Sequence, residues 1–192
     1  FSPSANRALC FGRDRRVWLY ELAKDTGYSS LDILTGHRSI VVDAGFSPDG
    51  DWLVTRDIHN RHLLWQLRNR NPVNLKPIAL GSSAKSGASA DDRALDILLD
   101  TNTYSFSNDS RLLAQADADG NIQLRDLQAS PQTTSRTIAS ATGSRIIKLV
   151  FSPDASWLAS VDEARKLSLH AINDNRAKVA VSGVQLEGAL RS

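Results

Sequence analysis

The sequence contains no methionine, one cysteine and few aromatic residues (6%), and its formal net charge is only +2. A single cysteine, Cys10, excludes an internal disulfide framework and favours a reducing compartment, so we expect a cytoplasmic location. No run approaches the roughly 18 apolar residues that cross a bilayer, which argues against a membrane partner. The missing initiator methionine predicts that the chain is a segment of a longer protein.

An internal repeat is the strongest feature that the sequence does contain. Phe-Ser-Pro begins at positions 1, 46 and 151, and the related Phe-Ser-Asn begins at position 106. Nineteen residues after each phenylalanine stands a second landmark; these are Tyr20, Trp65, Arg125 and His170. Apolar residues alternate around each landmark, as in HLLWQL, and again in a segment such as DWLVT between the two landmarks. A period of two is typical of half-buried β-strands.

Turn-forming residues separate these predicted strands. SPDGDW (47–52) and SPDASW (152–157) combine proline with aspartate, and DADGN (117–121) places Asp-Gly between two apolar runs. Such combinations are typical of tight turns and hairpins. No segment shows a helical periodicity of useful length, so the sequence predicts an all-β fold.

The spacing and letters of the repeat resemble the WD repeat. The second copy is the most similar, with Gly36-His37 early, FSPDG (46–50) midway and Trp65-Gln66 late. The resemblance covers nearly the whole chain and implies a β-propeller of four-stranded antiparallel blades. It predicts one propeller segment over 1–192, with about four blades in repeats 1–35, 36–80, 81–140 and 141–185. About four repeats predict an incomplete ring.

The same resemblance implies a stabilising network in the blades. In the family, this network joins a histidine, a serine or threonine, a turn aspartate and a tryptophan. For the second repeat it implies His37, Thr55 and Trp65, with His59 where the turn aspartate is expected. Asp14 and Asp119 occupy that position in the first and third repeats, six residues before the landmark.

The third repeat carries an insertion, which we place at 82–96. Its sequence begins within GSSAKSGASADD (81–92), which is rich in serine, alanine and glycine. This composition predicts a flexible surface loop.

Basic turns distinguish the first two repeats from the last two. The turns RDRR (13–16) and RDIHNR (56–61) contrast with the acidic or mixed turns DADGN and DEARK. Family geometry would gather the basic turns on one rim and the aspartate-rich turns, with Asp49, Asp51 and Asp154, on the opposite rim. Arginine recognises carboxylates and phosphates through paired hydrogen bonds. The predicted partner-binding residues are Arg13, Arg15, Arg16, Arg38, Arg56 and Arg61, although a merely solvated surface is the alternative interpretation.

No catalytic motif accompanies these features, so we expect no enzymatic activity, cofactor or metal. His59 and His62 flank a β turn without the cysteine or carboxylate cluster of a metal site. The leading interpretation is a non-catalytic protein–protein interaction scaffold that binds an acidic protein or an adjoining domain. By analogy with the family, it would be a sensor or regulatory propeller of a larger multidomain protein. The alternative is a nucleic-acid-binding or enzyme-associated propeller; nucleic acid is disfavoured because aromatic residues do not interleave with the arginines.

Overall fold

The computed structural model is all-β in the part of the chain that it describes, which confirms the predicted fold class. The strands are antiparallel and form four sheets. Among the described residues, none belongs to a helix that could span a membrane. The predicted insertion 82–96 lies outside the described residues, except for Ser82 at the end of a strand. The described residues are 1–23, 27, 30–68, 77–82, 103–117, 120–129, 135–138, 144–172 and 179–185.

The first of two compact units, Phe1–Asp100, contains the first two sheets. The first sheet has three strands in the order β1-β2-β3, and the second has four in the order β4-β5-β6-β7. The strands are β1 (Arg7–Phe11), β2 (Val17–Glu21), β3 (Ser30–Leu34), β4 (Val41–Phe46), β5 (Trp52–Asp57), β6 (Arg61–Gln66) and β7 (Ile78–Ser82).

The second unit, Thr101–Ser192, contains two four-stranded sheets. The third sheet has the order β8-β9-β10-β11, and the fourth has the order β12-β13-β14-β15. The strands are β8 (Tyr104–Phe106), β9 (Leu112–Ala116), β10 (Ile122–Asp126), β11 (Ser135–Ile138), β12 (Ile146–Phe151), β13 (Trp157–Asp162), β14 (Lys166–Ala171) and β15 (Val179–Gln185).

The repeated turns have one geometry in all four copies. In the second, the Ser47 N–H donates to the Trp52 carbonyl and the Gly50 N–H donates to the Ser47 carbonyl, both at 2.9 Å. The fourth residue of each such turn has a φ between 53° and 75°; these residues are Ala5, Gly50, Ser110 and Ala155. The next hairpin turn also has a positive φ in each copy, at Arg15, Asn60, Gly120 and Arg165. The repeat therefore determines backbone conformation as well as strand position.

Each unit has its own core between its two sheets. In the first unit, Leu19 and Leu34 of the first sheet pack with Leu53, Leu63 and Trp65 of the second. In the second unit, the core is formed by residues of the third sheet such as Ala114, Ile122 and Ile138, together with Leu149 and Leu158 of the fourth. The alternation of apolar residues thus gives each sheet a face that packs on its neighbour.

Candidate functional site

The structure brings His37, Thr55 and Trp65 together in the second sheet. His37 precedes β4, Thr55 lies on β5 and Trp65 lies on β6, and all three are buried. The Trp65 Nε1–H group lies 2.9 Å from Thr55 Oγ1, which lies 2.7 Å from His37 Nε2. The network that the resemblance implied for these residues is therefore present as a chain of hydrogen bonds.

The chemistry of the end groups sets the direction of this chain. An indole N–H can only donate, so Thr55 accepts from Trp65. An ionised carboxylate can only accept, so His37 Nδ1 carries the N–H hydrogen of the neutral ring and donates to Asp57 Oδ2 at 3.2 Å, while Nε2 accepts the Thr55 hydroxyl hydrogen. One neutral imidazole tautomer satisfies every bond.

Asp57 is the residue that our sequence reasoning missed, because it assigned the turn position to His59. The other Asp57 oxygen accepts from the backbone N–H groups of His59 and Arg61, at 3.0 and 3.1 Å. Burial raises the pKa of Asp57, but the hydrogen bonds from His37 and from these two backbone groups outweigh it and hold the pKa below its ordinary value. Asp57 is therefore an ionised acceptor that connects the turn to the buried network.

The turn aspartate recurs eight residues before the landmark, whereas we expected it six residues before. Asp117 accepts from the Asn121 N–H at 2.9 Å and Asp162 from the Lys166 N–H at 2.8 Å, as Asp57 does from Arg61. Asp14 is instead exposed in the β1–β2 turn and accepts from the Trp18 indole at 3.1 Å. Asp119 lies outside the described residues.

The fourth sheet carries a reduced form of the same network. Ser160 and His170 occupy the positions of Thr55 and Trp65, with 2.9 Å between Ser160 Oγ and His170 Nε2. Among the described residues, Asp162 Oδ2 and His170 Nδ1 are buried without a hydrogen-bond partner. Burial lowers the pKa of His170 and so favours its neutral form.

Four of the six predicted partner-binding arginines are exposed at one end of the first unit. Arg13, Arg15 and Arg16 form the β1–β2 turn, and Arg38 follows His37. Strand pairing explains their proximity, because Val17 pairs with Leu34 and Val41 pairs with Asp57. The intervening segment 35–40 therefore runs from the β1–β2 turn to the β5–β6 turn.

The other two arginines differ from the expectation. Arg61 is half-buried, and its guanidinium donates to the Gly36 carbonyl at 3.4 Å, so it remains at the same end. Arg56 lies within β5, is 6% exposed and has its Nε 3.6 Å from Asp43 Oδ2. We expected Arg56 in the turn, but the strand continues through Asp57 and turns its side chain inward.

The histidines do not form a metal site in the described part of the chain, where no three metal-ligating side chains cluster. His62 is fully buried on β6. Its burial, followed by the nearby charge of Arg56, lowers its pKa to about 3. His62 is therefore a neutral core residue at physiological pH.

One repeat of the chain matches a known protein family. Residues 28–57 match the family described as WD domain, G-beta repeat. This segment contains β3, β4 and β5 with His37, Thr55 and Asp57. No curated protein matches the chain. The family match and the four antiparallel sheets agree with each other, and the chain carries a WD repeat in an all-β architecture consistent with the WD-repeat family.

Proposed function

We propose that this chain is a protein-binding platform whose basic edge recognises an acidic segment of a partner. We define the basic edge as Arg13, Arg15, Arg16, Arg38 and Arg61. The observation that carries the proposal is the exposure of the first four of these at one end of one compact unit. WD repeats generally mediate protein–protein interaction and are typically non-catalytic, which supports a scaffold function.

The backbone beneath the basic edge is held in place, which favours recognition. Arg15 is held in a left-handed conformation with φ 64°, and Arg16 donates its N–H to Asp14 at 3.3 Å. On the other turn, Arg61 bonds Gly36 and its N–H bonds Asp57. A partner therefore meets arginines whose attachment points are already ordered, which reduces the entropy lost on binding.

The opposite end of this unit carries carboxylates. Asp49 and Asp51 lie in the turn before β5, at the other end of the strand from the β5–β6 turn. Asp51 is already paired with Arg68 at 3.2 Å, so an acidic partner finds, among the described residues, unpaired arginines at the basic edge and an arginine–aspartate pair at the opposite end, which favours binding at the basic edge. A sensor or regulatory role beside an adjoining domain, in the cytoplasm, is the setting that we propose for this recognition.

The proposal is tested with a fluorescein-labelled octapeptide of alternating glutamate and aspartate, titrated into the purified chain at low and moderate salt. We expect binding that weakens with salt and is lost in the Arg13→Glu, Arg38→Glu double variant. The control is Arg68→Glu, Lys148→Glu, which makes the same charge change at two exposed positions elsewhere. Equal binding by both double variants would overturn the proposal. Preferential binding of a DNA or RNA 20-mer would favour the nucleic-acid alternative instead.

A further inference from the structure

A cleft of about 490 Å³ opens in the second unit between the third and fourth sheets. Its apolar lining includes Leu112, Leu124 and Ala155. Asp109 and Asp154, from the two Phe-Ser turns, also line it. An apolar surface beside carboxylates matches a side chain that has an aliphatic stem and a cationic end.

The corresponding place in the first unit is filled by the chain's own arginine. Arg7 of β1 reaches from the first sheet to the second, where its Nη1 donates to the Gly50 carbonyl at 2.8 Å. Its Nε donates to Glu21 at 3.3 Å, and the side chain is only 17% exposed. A guanidinium thus lies between the first two sheets, bonded to a carboxylate on one and a turn carbonyl on the other.

Strand register shows that the two places are equivalent. Arg7 pairs with Glu21 in the first sheet, and Leu112 pairs with Asp126 in the third. Gly50 and Ala155 are the corresponding fourth residues of their turns, both with positive φ. The cleft is therefore the Arg7 site with leucine in place of arginine. Leucine is shorter and has no donor, so it cannot make the contacts that Arg7 makes.

The carboxylates of the cleft leave room for an added cation. Arg111 pairs with Asp126 at 3.2 Å, and Arg136, a second cationic residue of the lining, donates to the Ile172 carbonyl. Asp109 and Asp154 form no ion pair within 4 Å in the described part of the chain, although the charge of Arg111 also acts on Asp109 and both carboxylates accept hydrogen bonds within their own turns. Hydrogen bonds from Ser107 and Ser152 lower the pKa of Asp109 and Asp154 respectively, so both are ionised at neutral pH.

We propose that this cleft binds an arginine side chain of a partner peptide, in the place that Arg7 occupies between the first two sheets. The arginine stem packs on Leu112 and Ala155. Because Arg111 already pairs with Asp126, the counterpart of Glu21, the guanidinium faces Asp109 and Asp154 instead. This site is independent of the basic edge, because it lies in the other unit and selects the opposite charge. An experiment can therefore disprove either proposal without affecting the other.

The probes are the peptides N-acetyl-Leu-Arg-Leu-amide and N-acetyl-Leu-citrulline-Leu-amide, titrated into the ¹⁵N-labelled chain while amide shifts are followed by NMR. Citrulline has nearly the same shape as arginine but no charge. We expect the arginine peptide to bind about tenfold more tightly, since charge-assisted hydrogen bonds are the stronger ones. The shifts should be centred on residues 109–112 and 154–156.

Two variants localise the binding. Asp154→Asn should weaken it about two- to fivefold, as expected for an exposed ion pair, whereas the corresponding Asp49→Asn in the second sheet should leave it unchanged. Leu112→Arg should abolish it by filling the cleft from within. If Leu112→Arg fails to fold, the comparison of Asp154→Asn with Asp49→Asn still shows whether the peptide binds in the cleft. No binding, equal binding of the two peptides, or equal effects of the two aspartate variants would overturn the proposal.

Discussion

The indole N–H of Trp65 donates to the Thr55 hydroxyl at 2.9 Å, and this bond joins two adjacent strands at the centre of the second sheet. Neither residue has measurable exposure to solvent, so water cannot replace the bond if it is broken. Through His37 the chain of bonds reaches Asp57, which also fixes the β5–β6 turn. The packing of the sheet and the position of the adjacent basic turn are therefore coupled.

Thr55→Val should destabilise the chain by about 1–3 kcal/mol, because valine keeps the shape and leaves the Trp65 N–H and His37 Nε2 buried without partners. The measurement is the free energy of unfolding in urea. Thr137→Val is the matched control, since Thr137 on β11 is exposed and accepts from the Gln123 side chain at 2.8 Å. We expect the control to change stability by under about 0.5 kcal/mol. Equal effects would contradict a buried network at Thr55.

Asp57→Asn should cost about 1–3 kcal/mol, because the neutral amide is a weaker acceptor and one of its two ends is no acceptor at all. Asp14→Asn, at the position that the sequence favoured for this function, should stay within about 0.5 kcal/mol because Asp14 is exposed. Thermal and urea unfolding of both variants give the comparison. A larger loss for Asp14→Asn would show that our assignment of the turn aspartate is wrong.

The sequence predicted the sheets more accurately than the turns, for a physical reason. Alternating burial leaves a strong signal in strands such as β6, whereas a turn is defined by hydrogen bonds that composition does not record. Counting back six residues from the landmark led to His59 and Asp14. The aspartates that bind the turn, Asp57, Asp117 and Asp162, stand eight residues before the landmark in the last three repeats, and the letters alone do not single out that offset. Arg56 was misassigned because strand β5 extends further into the predicted turn than its polar letters suggest.

The cleft between the third and fourth sheets could not be predicted in this way. Leu112 fits the apolar pattern of β9, and nothing in that pattern records the cavity beside it. Only the comparison with Arg7, at the same register in the first sheet, gives the cavity a chemical meaning. Equivalent positions in the repeats therefore indicate the function of a cavity only once the structure has aligned them.

Arg165→Gly should raise the free energy of unfolding by about 0.5–1 kcal/mol, because Arg165 holds a φ of 60° that costs a residue with a Cβ atom. Glycine adopts this conformation freely, although its larger unfolded-state entropy offsets part of the gain. The control, Glu163→Gly, lies in the same turn, is exposed and has no positive φ. It should destabilise slightly. The prediction fails if both substitutions lower stability equally in urea titrations.

The stability of the chain should fall as the pH is lowered from about 6.5 towards 4, with His62 as a principal cause. Burial lowers the pKa of His62 to about 3, while the unfolded chain takes up the proton near the ordinary value of 6.5. Within this window the unfolded state binds more protons than the folded state, so stability is lost on acidification. Each pH unit should remove about 1.4 kcal/mol per such histidine.

His62→Gln should flatten this dependence, because it removes the buried group whose pKa is lowered to about 3. His170 acts in the same direction, because its burial also lowers its pKa, so some slope should remain in His62→Gln. Asp57 adds little to this slope, because its pKa is lowered from 3.8 and the stability that it contributes is lost mainly below pH 4. Urea unfolding at pH 7, 6, 5 and 4.5 measures these slopes. A wild-type stability that is constant across this range would show that His62 is protonated in the folded chain, and the neutral core assigned to β6 would then be wrong.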